Sequence, residues 1–315
     1  MSRVSPFFRP WVSKRSSDGL ALLLLVCGGG CNSDMTPVSL VARVRVLAVV
    51  SEPPEVQPGQ SADWRALLAA PPGDVEDIHF SFTQCTPVEG GCLEYLEALE
   101  LTSGDEAAAE SLYLATATRS GSGKVENLML EVTGSDISTP HSALGRGIPM
   151  VQSLVDLVVC ESEGCETETA GDGVYTATKR LVISNATSPN RNPHLQSVTL
   201  DETDVLEPGA NPLLVAGEEY TLTARLTPDS VEHYTYVSPE GIPEERVEVP
   251  YVRWFSTAGS FSTPRSDFVR DEKGDMSART TFVSQDVSGT SVGLYAVVWD
   301  GRGGMDCAAW VGDTP

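Results

Sequence analysis

The sequence predicts an all-β protein of the β-sandwich class, on three observations. Apolar and polar residues alternate in many short segments, which is the pattern of half-buried strands. Clusters of Pro, Gly, Asn and Asp separate these segments, and the chain holds 28 glycines and 21 prolines. Helical periodicity is nearly absent, and only Gly104 to Leu114, with its run of alanines, predicts a short helix.

Composition limits the function classes. The 315 residues include 44 acidic and 21 basic side chains, for a net charge of -23. That charge argues against nucleic-acid binding and against adsorption to acidic lipid headgroups, because both require clustered Lys and Arg. The hydrophobic fraction of 41% is high enough for a folded chain, and the length suggests two domains.

The N-terminus reads as an export signal. Four basic residues precede an apolar run from Leu20 to Cys27, the order of a signal peptide. Eight apolar residues are too few to span a bilayer, which takes about 20. The basic residues are Arg3, Arg9, Lys14 and Arg15.

The residues that follow, Gly28-Gly29-Gly30-Cys31, resemble the lipobox of bacterial lipoproteins, although Gly28 stands where that family prefers Leu, Val or Ile. The resemblance implies cleavage before Cys31 and a diacylglycerol on its thiol, with the acyl chains holding the protein on a membrane. The alternative is a plain secretory signal cleaved near Gly30, which leaves Cys31 as a thiol or in a disulfide. Both routes export the chain.

Five segments carry the clearest strand alternation. We expect each to place one face in a core and the other in solvent. The predicted core residues are Val44, Val46, Ala48 and Val50; Ala62, Trp64, Ala66 and Leu68; Ile78, Phe80 and Phe82; Tyr220, Leu222, Ala224 and Leu226; and Val252 and Trp254.

An internal repeat predicts two copies of one sandwich. Apolar residues follow Gly59 and Gly217 at the same offsets, so each glycine is expected to open strand B. Gly173 to Ala177 parallels Gly293 to Val297, and each is expected to be strand F. Tyr175 follows Asp172 by three residues, as in the tyrosine corner of immunoglobulin-like domains, whereas Tyr295 lacks that aspartate.

These marks predict two tandem immunoglobulin-like domains. We assign 1–30 to the signal peptide, 31–40 to a tether, 41–187 and 194–315 to the two domains, and 188–193 to a polar linker with two prolines. The spacing from Gly59 to Tyr175 exceeds that from Gly217 to Tyr295 by about 38 residues. The first domain is therefore expected to hold an insertion between Cys85 and Met150, either a grafted binding element or a passive loop.

The chain ends in a predicted hairpin, Val292 to Asp300 and Met305 to Val311 around Gly301-Arg302-Gly303-Gly304. With Trp254 as a core residue of strand C, this resembles Ig-like modules of bacterial surface proteins. The order of lipobox, Val46-Leu-Ala-Val, Glu-Pro-Pro-Glu-Val56, the Asn190-Arg-Asn-Pro linker and this hairpin resembles predicted lipoproteins of myxobacteria. That resemblance implies no activity.

Export favours disulfides among the body cysteines. Local bridges, Cys85 with Cys92 and Cys160 with Cys165, suit the short spacings, but four cysteines allow three pairings and a cross-sheet pairing remains open. A zinc site of all four lacks the strong C-x-x-C spacing. Cys307 alternates with Ala309 and Val311, as a small buried residue would; an intermolecular bridge is the alternative.

No catalytic or cofactor site is predicted. The four histidines are scattered, and the Gly-rich stretch Ser120 to Lys124 fits neither a nucleophile elbow nor a phosphate loop. Acidic loops offer oxygen ligands for calcium without EF-hand spacing. The histidines are His79, His141, His194 and His233, and the loops are 201–204, 244–248 and 271–275.

The expected function is that of a non-enzymatic binding, adhesion or scaffolding module on the bacterial cell envelope, at the outer rather than the inner membrane. Its partners would be the membrane, through the lipid on Cys31, and a protein or polysaccharide of the envelope. A calcium-dependent interaction module and an envelope enzyme with an unrecognised carboxylate pair are the two alternatives.

Overall fold

Strands make up the secondary structure throughout the part of the chain that the computed structural model describes. No helix occurs there, and the segment predicted to be helical lies outside it. Among these residues no helical segment has the length and apolar character of a membrane span. The contacts group Pro37–Pro315 into one unit. The described residues are 36–57, 60–71, 78–85, 117–123, 129–138, 150–160, 173–184, 186–201, 203–207, 211–237, 242–272, 274–285, 289 and 291–314.

In the described part of the chain the N-terminal sheet pair contains eight strands. One sheet has the order β1-β3-β6 and the other β2-β8-β7-β4-β5. All neighbours are antiparallel except β2 and β8. The strands are β1 (Arg45–Glu52), β2 (Glu55–Val56), β3 (Ser61–Ala69), β4 (Ile78–Cys85), β5 (Ala117–Gly123), β6 (Met129–Ser138), β7 (Met150–Cys160) and β8 (Val174–Ser184).

The C-terminal half contains twelve strands among the described residues, and ten of them form a sheet pair. One sheet has the order β10-β9-β11-β18-β15, with β17 also on β18, and the other has the order β16-β14-β19-β20. Strands β12 and β13 form a separate hairpin. The strands are β9 (Leu195–Leu200), β10 (Asp204–Val205), β11 (Glu219–Leu226), β12 (His233–Val237), β13 (Pro243–Val247), β14 (Tyr251–Ser256), β15 (Ser260–Phe261), β16 (Arg265–Asp267), β17 (Val269–Arg270), β18 (Met276–Val283), β19 (Ser291–Trp299) and β20 (Met305–Asp313).

Each sheet pair encloses a core of its own, as the alternation predicts. Trp64, Ala66 and Leu68 on β3 are buried in the N-terminal core with Phe80 from β4. In the C-terminal pair Trp254 is buried in the core, together with the predicted residues of β11. These predictions are confirmed because alternate residues of a strand point to the same face of the sheet.

The expected equivalence of two closing strands is wrong. Gly173 to Ala177 leads into β8, which is the last strand of its pair and lies between β7 and β2. Gly293 to Val297 belongs to β19, which is the next-to-last strand and lies between β14 and β20. Strand F of the first pair is therefore β7. The predicted insertion length was derived from that match, so it is no longer supported. Strands β5 and β6 occupy part of the region assigned to the insertion.

A third core joins the two sheet pairs, and it changes the expected alternation of β1. A β-bulge between Val46 and Ala48 reverses which residues face inward. Val44 and Val49 pack into the N-terminal core, whereas Ala48 and Val50 pack into the third core. The third core holds Val41, Leu47, Ala48, Val50, Leu67 and Ala69 from the first pair, and Phe255, Tyr295, Val297, Met305 and Ala309 from the second.

The segment before β1 is also fastened to the second pair. The amide of Val41 donates to the carbonyl of Ser256 at 2.8 Å, and the amide of Ser256 donates to the carbonyl of Ser39 at 2.9 Å. The end of the predicted tether thus extends a sheet of the C-terminal pair before the chain enters the N-terminal one.

Candidate functional site

A buried ionic network lies where the two sheet pairs meet, and Arg302 is at its centre. Its guanidinium lies 3.0 Å from Glu248, 3.4 Å from Glu232 and 3.5 Å from Glu55. It also covers the ring of Tyr234 at 4.3 Å. Glu55 comes from β2, whereas the other groups come from the turn after β19 and from the hairpin region. The network therefore links elements of both pairs.

The predicted linker is built into this junction. Asn190 is 2% exposed, and its side chain donates to the carboxylate of Asp300 at 2.7 Å. Asp300 also accepts the amides of Arg302, Gly303 and Gly304, at 2.6 to 2.9 Å, which fixes the predicted turn. Gly301 and Gly303 both have positive φ, so the turn favours glycine at these two positions.

Two titratable groups of the junction have shifted pKa values. Burial raises the pKa of Glu248 to about 7, against the opposing effects of the Glu232 amide and Arg302. Burial lowers the pKa of Lys179 to about 8, although the Asp300 carboxylate acts in the other direction. The Lys179 ammonium donates to the carbonyl of Gly303, a further bond from β8 to the turn of the second pair.

An open cleft of about 310 Å³ runs beside this junction, between β1 and β8. Its walls are largely aliphatic side chains and backbone, with Lys179 and Arg180 on the β8 side and Trp299 on the other. No carboxylate or histidine belongs to this lining among the described residues. The cleft therefore offers the exposed Arg180 and an aromatic ring, without an acid–base pair, whereas the buried Lys179 is engaged by the Gly303 carbonyl.

A second polar surface begins at Trp299. We call it the arginine surface and define it by four arginines and two aromatic rings, of which Arg253 and Arg265 contact the rings. Tyr251 and Trp299 stack with ring centroids 5.3 Å apart. The Arg253 guanidinium lies 5.4 Å from the Trp299 ring, and that of Arg265 lies 4.0 Å from the Tyr251 ring. The members are Arg43, Arg45, Arg253, Arg265, Tyr251 and Trp299.

Like charges face one another on this surface. Arg253 and Arg265 are direct cross-strand partners on β14 and β16. Burial, and then the charges of Arg253 and Arg43, lower the pKa of Arg45. Asp267 is the one carboxylate that pairs with the group among described residues, at 3.4 Å from Arg265. Opposed like charges destabilise a sheet, so this cluster has no evident stabilising role.

The arginine surface also depends on both sheet pairs. Arg45 begins β1, and its guanidinium lies 5.3 Å from the ring of Phe255 in the third core. Arg253 and Trp299 come from the C-terminal pair. The third core therefore sets the spacing between the arginines of the two halves.

The β12–β13 hairpin projects beside the junction. All five residues of β13 are exposed. Its Arg246 lies 3.7 Å from the Tyr236 ring and 2.7 Å from Glu244. This arginine repeats the ring contact of the arginine surface but has its own carboxylate partner.

The predicted cysteine sites are only partly within the described residues. Cys31, Cys92 and Cys165 lie outside them. Cys85 pairs with Leu154 and Cys160 with His79 in the register of β4 and β7. The two cysteines are therefore six residues apart along neighbouring strands, or about 20 Å, beyond the roughly 7 Å limit between disulfide-bonded Cα atoms. The open alternative of a Cys85–Cys160 bridge is excluded.

Cys307 packs at the edge of the third core, where it is half-buried. Cys307 therefore packs against a core together with Ala309 of the same strand, as expected for a small apolar residue. The core it joins is the one between the two sheet pairs.

The remaining predicted polar sites form no cluster. Ser120 to Gly123 lie in β5, paired with β4, so this stretch is an extended strand. Asp201 accepts the Thr221 amide at 2.8 Å, and Asp271 accepts the Asp275 amide at 2.9 Å. Within the described ranges no three His, Cys, Asp or Glu side chains are placed to hold a metal ion.

Sequence reasoning missed both the ionic network and the arginine surface. One signal for the latter was present, since Arg43 and Arg45, and Tyr251 and Arg253, alternate on strands of an acidic chain. The pairing of β14 with β16, which brings Arg265 beside them, required the fold.

No protein-family model and no curated protein matches the chain. Similar solved structures include the D0-D1 domain of intimin, a mutant alpha-2-macroglobulin of Salmonella, and the C-terminal domain of the Streptococcus pyogenes antigen I/II-family protein AspA, each at 10% identity. Their TM-scores are 0.23, 0.24 and 0.20. The matches cover 85%, 85% and 86% of this chain and 99%, 16% and 99% of the other. TM-scores this low say nothing about what this chain binds.

Proposed function

We propose that the chain is an exported, lipid-anchored, non-enzymatic binding protein of the bacterial cell envelope, made of two tandem immunoglobulin-like domains. The arginine surface carries this proposal. Four arginines gather there in a chain of net charge -23, and two of them oppose each other across neighbouring strands. Such an arrangement is unfavourable by itself, and a bound anion relieves it.

The geometry supports binding more than catalysis. Catalysis by general acid and base needs titratable groups within hydrogen-bond reach of one site. The cleft lining combines cations with apolar walls, and the nearby carboxylates of Glu55, Glu232 and Glu248 are engaged by Arg302. Their contacts hold the two halves together.

The two halves have the same strand plan, which supports the tandem-domain assignment. In the first, β2 runs parallel to the last strand, β8. In the second, Leu213 forms a parallel bridge with Asp313 of the last strand, β20. We propose boundaries at 41–187 and 194–315, with 188–193 between the domains.

The anchor rests on the lipobox-like residues before Cys31, and the resemblance to myxobacterial lipoproteins belongs to the same proposal. A Cys31→Ser chain should lose fatty-acid labelling and leave the membrane fraction. Continued membrane retention without label would refute the lipid assignment. A tether at 31–40 would hold the folded body beyond the acyl chains, at the outer membrane.

The binding function is tested with fluorescently labelled full-length protein in mild detergent and isolated cell envelopes. We expect saturable binding that weakens in Arg253→Ser and persists in Arg246→Ser, which removes an arginine of similar stacking on the hairpin. Equal binding by all three proteins would refute the assignment of binding to the arginine surface.

A further inference from the structure

We infer that the ligand of the arginine surface is an acidic polysaccharide whose carboxylates are bound by Arg253, Arg265 and Arg45. This inference rests on the binding function proposed above and narrows it to one class of partner. It follows from the geometry of the guanidinium groups, from the continuity of the surface with the cleft, and from the charge of the whole chain.

Arg253 is held with its donors available, whereas Arg265 donates to Asp267 at 3.4 Å and Arg45 donates through one nitrogen to the carbonyl of Val38 at 2.6 Å. The guanidinium carbons of Arg253 and Arg265 lie 5.4 and 4.0 Å from the ring centroids of Trp299 and Tyr251, where cation–π attraction helps to hold them. Within the described part of the chain neither Arg43 nor Arg253 has an ion-pair partner. A planar fork of donors matches a planar carboxylate.

The spacing of the arginines suits a polymer with repeated charges. Arg265 and Arg253 lie on adjacent strands, about 4.8 Å apart in the hydrogen-bonding direction. Arg45 comes from the other sheet pair, and its guanidinium lies 5.3 Å from the ring of Phe255, two residues from Arg253 on β14. Beyond Trp299 the surface meets the cleft, where the exposed Arg180 adds one more cation. An extended chain can therefore contact cations over several of its repeats.

The apolar parts of the site also favour a sugar chain. The aromatic rings of Tyr251 and Trp299 are half-buried, and the cleft walls from Val46 to Val49 are aliphatic or backbone. A polysaccharide presents apolar ring faces as well as charged groups. A site that binds it needs both kinds of surface.

Nucleic acid is disfavoured by the overall charge. A duplex carries one charge per roughly 1.7 Å of its axis, and a body of charge -23 repels such a polymer over its remaining surface. A polysaccharide with one carboxylate per sugar is less densely charged. The local arginine cluster can then outweigh the long-range repulsion.

The test is a titration of full-length protein in mild detergent with polygalacturonate, neutral dextran of similar size, and duplex DNA, at several salt concentrations. We expect binding of polygalacturonate alone. Arg253→Ser and Arg265→Ser should each raise its Kd by about tenfold and flatten its salt dependence, because each removes a charge-assisted contact. Arg246→Ser should leave both unchanged.

Absence of polygalacturonate binding at low salt would overturn the inference, as would tighter binding of DNA or an equal loss in Arg246→Ser. The envelope-binding assay tests the proposed function separately from the ligand class. If envelope binding still depends on Arg253 while polygalacturonate does not bind, the ligand class is wrong and the binding function stands. If envelope binding is independent of Arg253, both fail. Unchanged thermal unfolding of the variants shows that a loss of binding is not a loss of fold.

Discussion

Replacing Arg302 by Met should destabilise the junction between the two sheet pairs. The substitution keeps an apolar stem against the Tyr234 ring but removes the positive charge that lies within 3.5 Å of three glutamates. Glu232 then keeps its ion pair with Arg191 at 2.7 Å, whereas Glu55 and Glu248 lose their cation. The largest effect is expected at Glu248, whose side chain is 1% exposed.

The size of the effect follows from the burial of the partners. Removing one member of a buried ion pair costs about 3–5 kcal/mol of unfolding free energy. The Arg302 side chain is 19% exposed, so water can solvate part of the charge that the glutamates present once the guanidinium is removed. The Glu248 carboxyl can also take up a proton, since burial already raises its pKa to about 7. We therefore expect a loss of about 2–3 kcal/mol at pH 7.5.

Urea unfolding followed by tryptophan fluorescence measures this loss. Arg246→Met is the matched control, because Arg246 pairs with Glu244 where both side chains are more than 40% exposed, and such pairs contribute about 1 kcal/mol or less. Adding Glu248→Gln to Arg302→Met should restore part of the stability. A loss below 1 kcal/mol in Arg302→Met, or equal losses in the two arginine variants, contradicts the assigned role of the network.

Four further outcomes are expected. Folding raises the Glu248 pKa from its ordinary value of 4.5 to about 7, so between these pH values the folded state binds more protons than the unfolded state. The free energy of unfolding should therefore fall as pH rises from 4.5 to 7, and Glu248→Gln should flatten that slope in urea titrations. Phe255→Ala should lower unfolding free energy by about 3 kcal/mol and separate calorimetric unfolding into two transitions, whereas one transition would contradict coupling by the third core. Peptide mapping without reduction should link Cys85 and Cys160 each to another cysteine; a peptide joining the two refutes the register. Gly304→Ala should lower the melting temperature, because a Cβ there would lie 2.1 Å from an Asp300 oxygen, and an unchanged value would contradict that contact.

The sequence was sufficient to predict the strands with clear alternation and the two cores within the sheet pairs, but not strands such as β6, β7, β9 and β18. Alternation in Ala62 to Leu68 and in Tyr220 to Leu226 marks one face of each strand, and each marked face is buried. The pattern says only that a face is apolar. Leu67 was expected to face solvent and instead lies in the third core, because a neighbouring sheet pair covers the opposite face of β3.

Strand order and local register were harder to infer, for a physical reason. The segments after Gly173 and Gly293 look alike because both are strands that follow a glycine and bring a Tyr toward a core. Their places in the sheets depend on pairing between distant segments, which alternation does not record. Alternation also does not reveal the bulge after Val46. One extra residue there reverses the face of the sheet to which every later side chain of the strand points.

The buried charges at the junction and the exposed charges of the arginine surface both depend on how the two sheet pairs are placed relative to each other. A buried ion pair adds little stability over well-packed apolar groups, but a buried charge without a partner is costly. The network around Arg302 therefore disfavours placements of the two halves that would separate its charges. The arginine surface needs one placement, because Arg45 and Arg253 come from different sheet pairs. Phe255 connects the two features, since it packs in the third core and contacts the Arg45 guanidinium. A variant that loosens the junction should therefore weaken ligand binding even when every arginine of the surface is present.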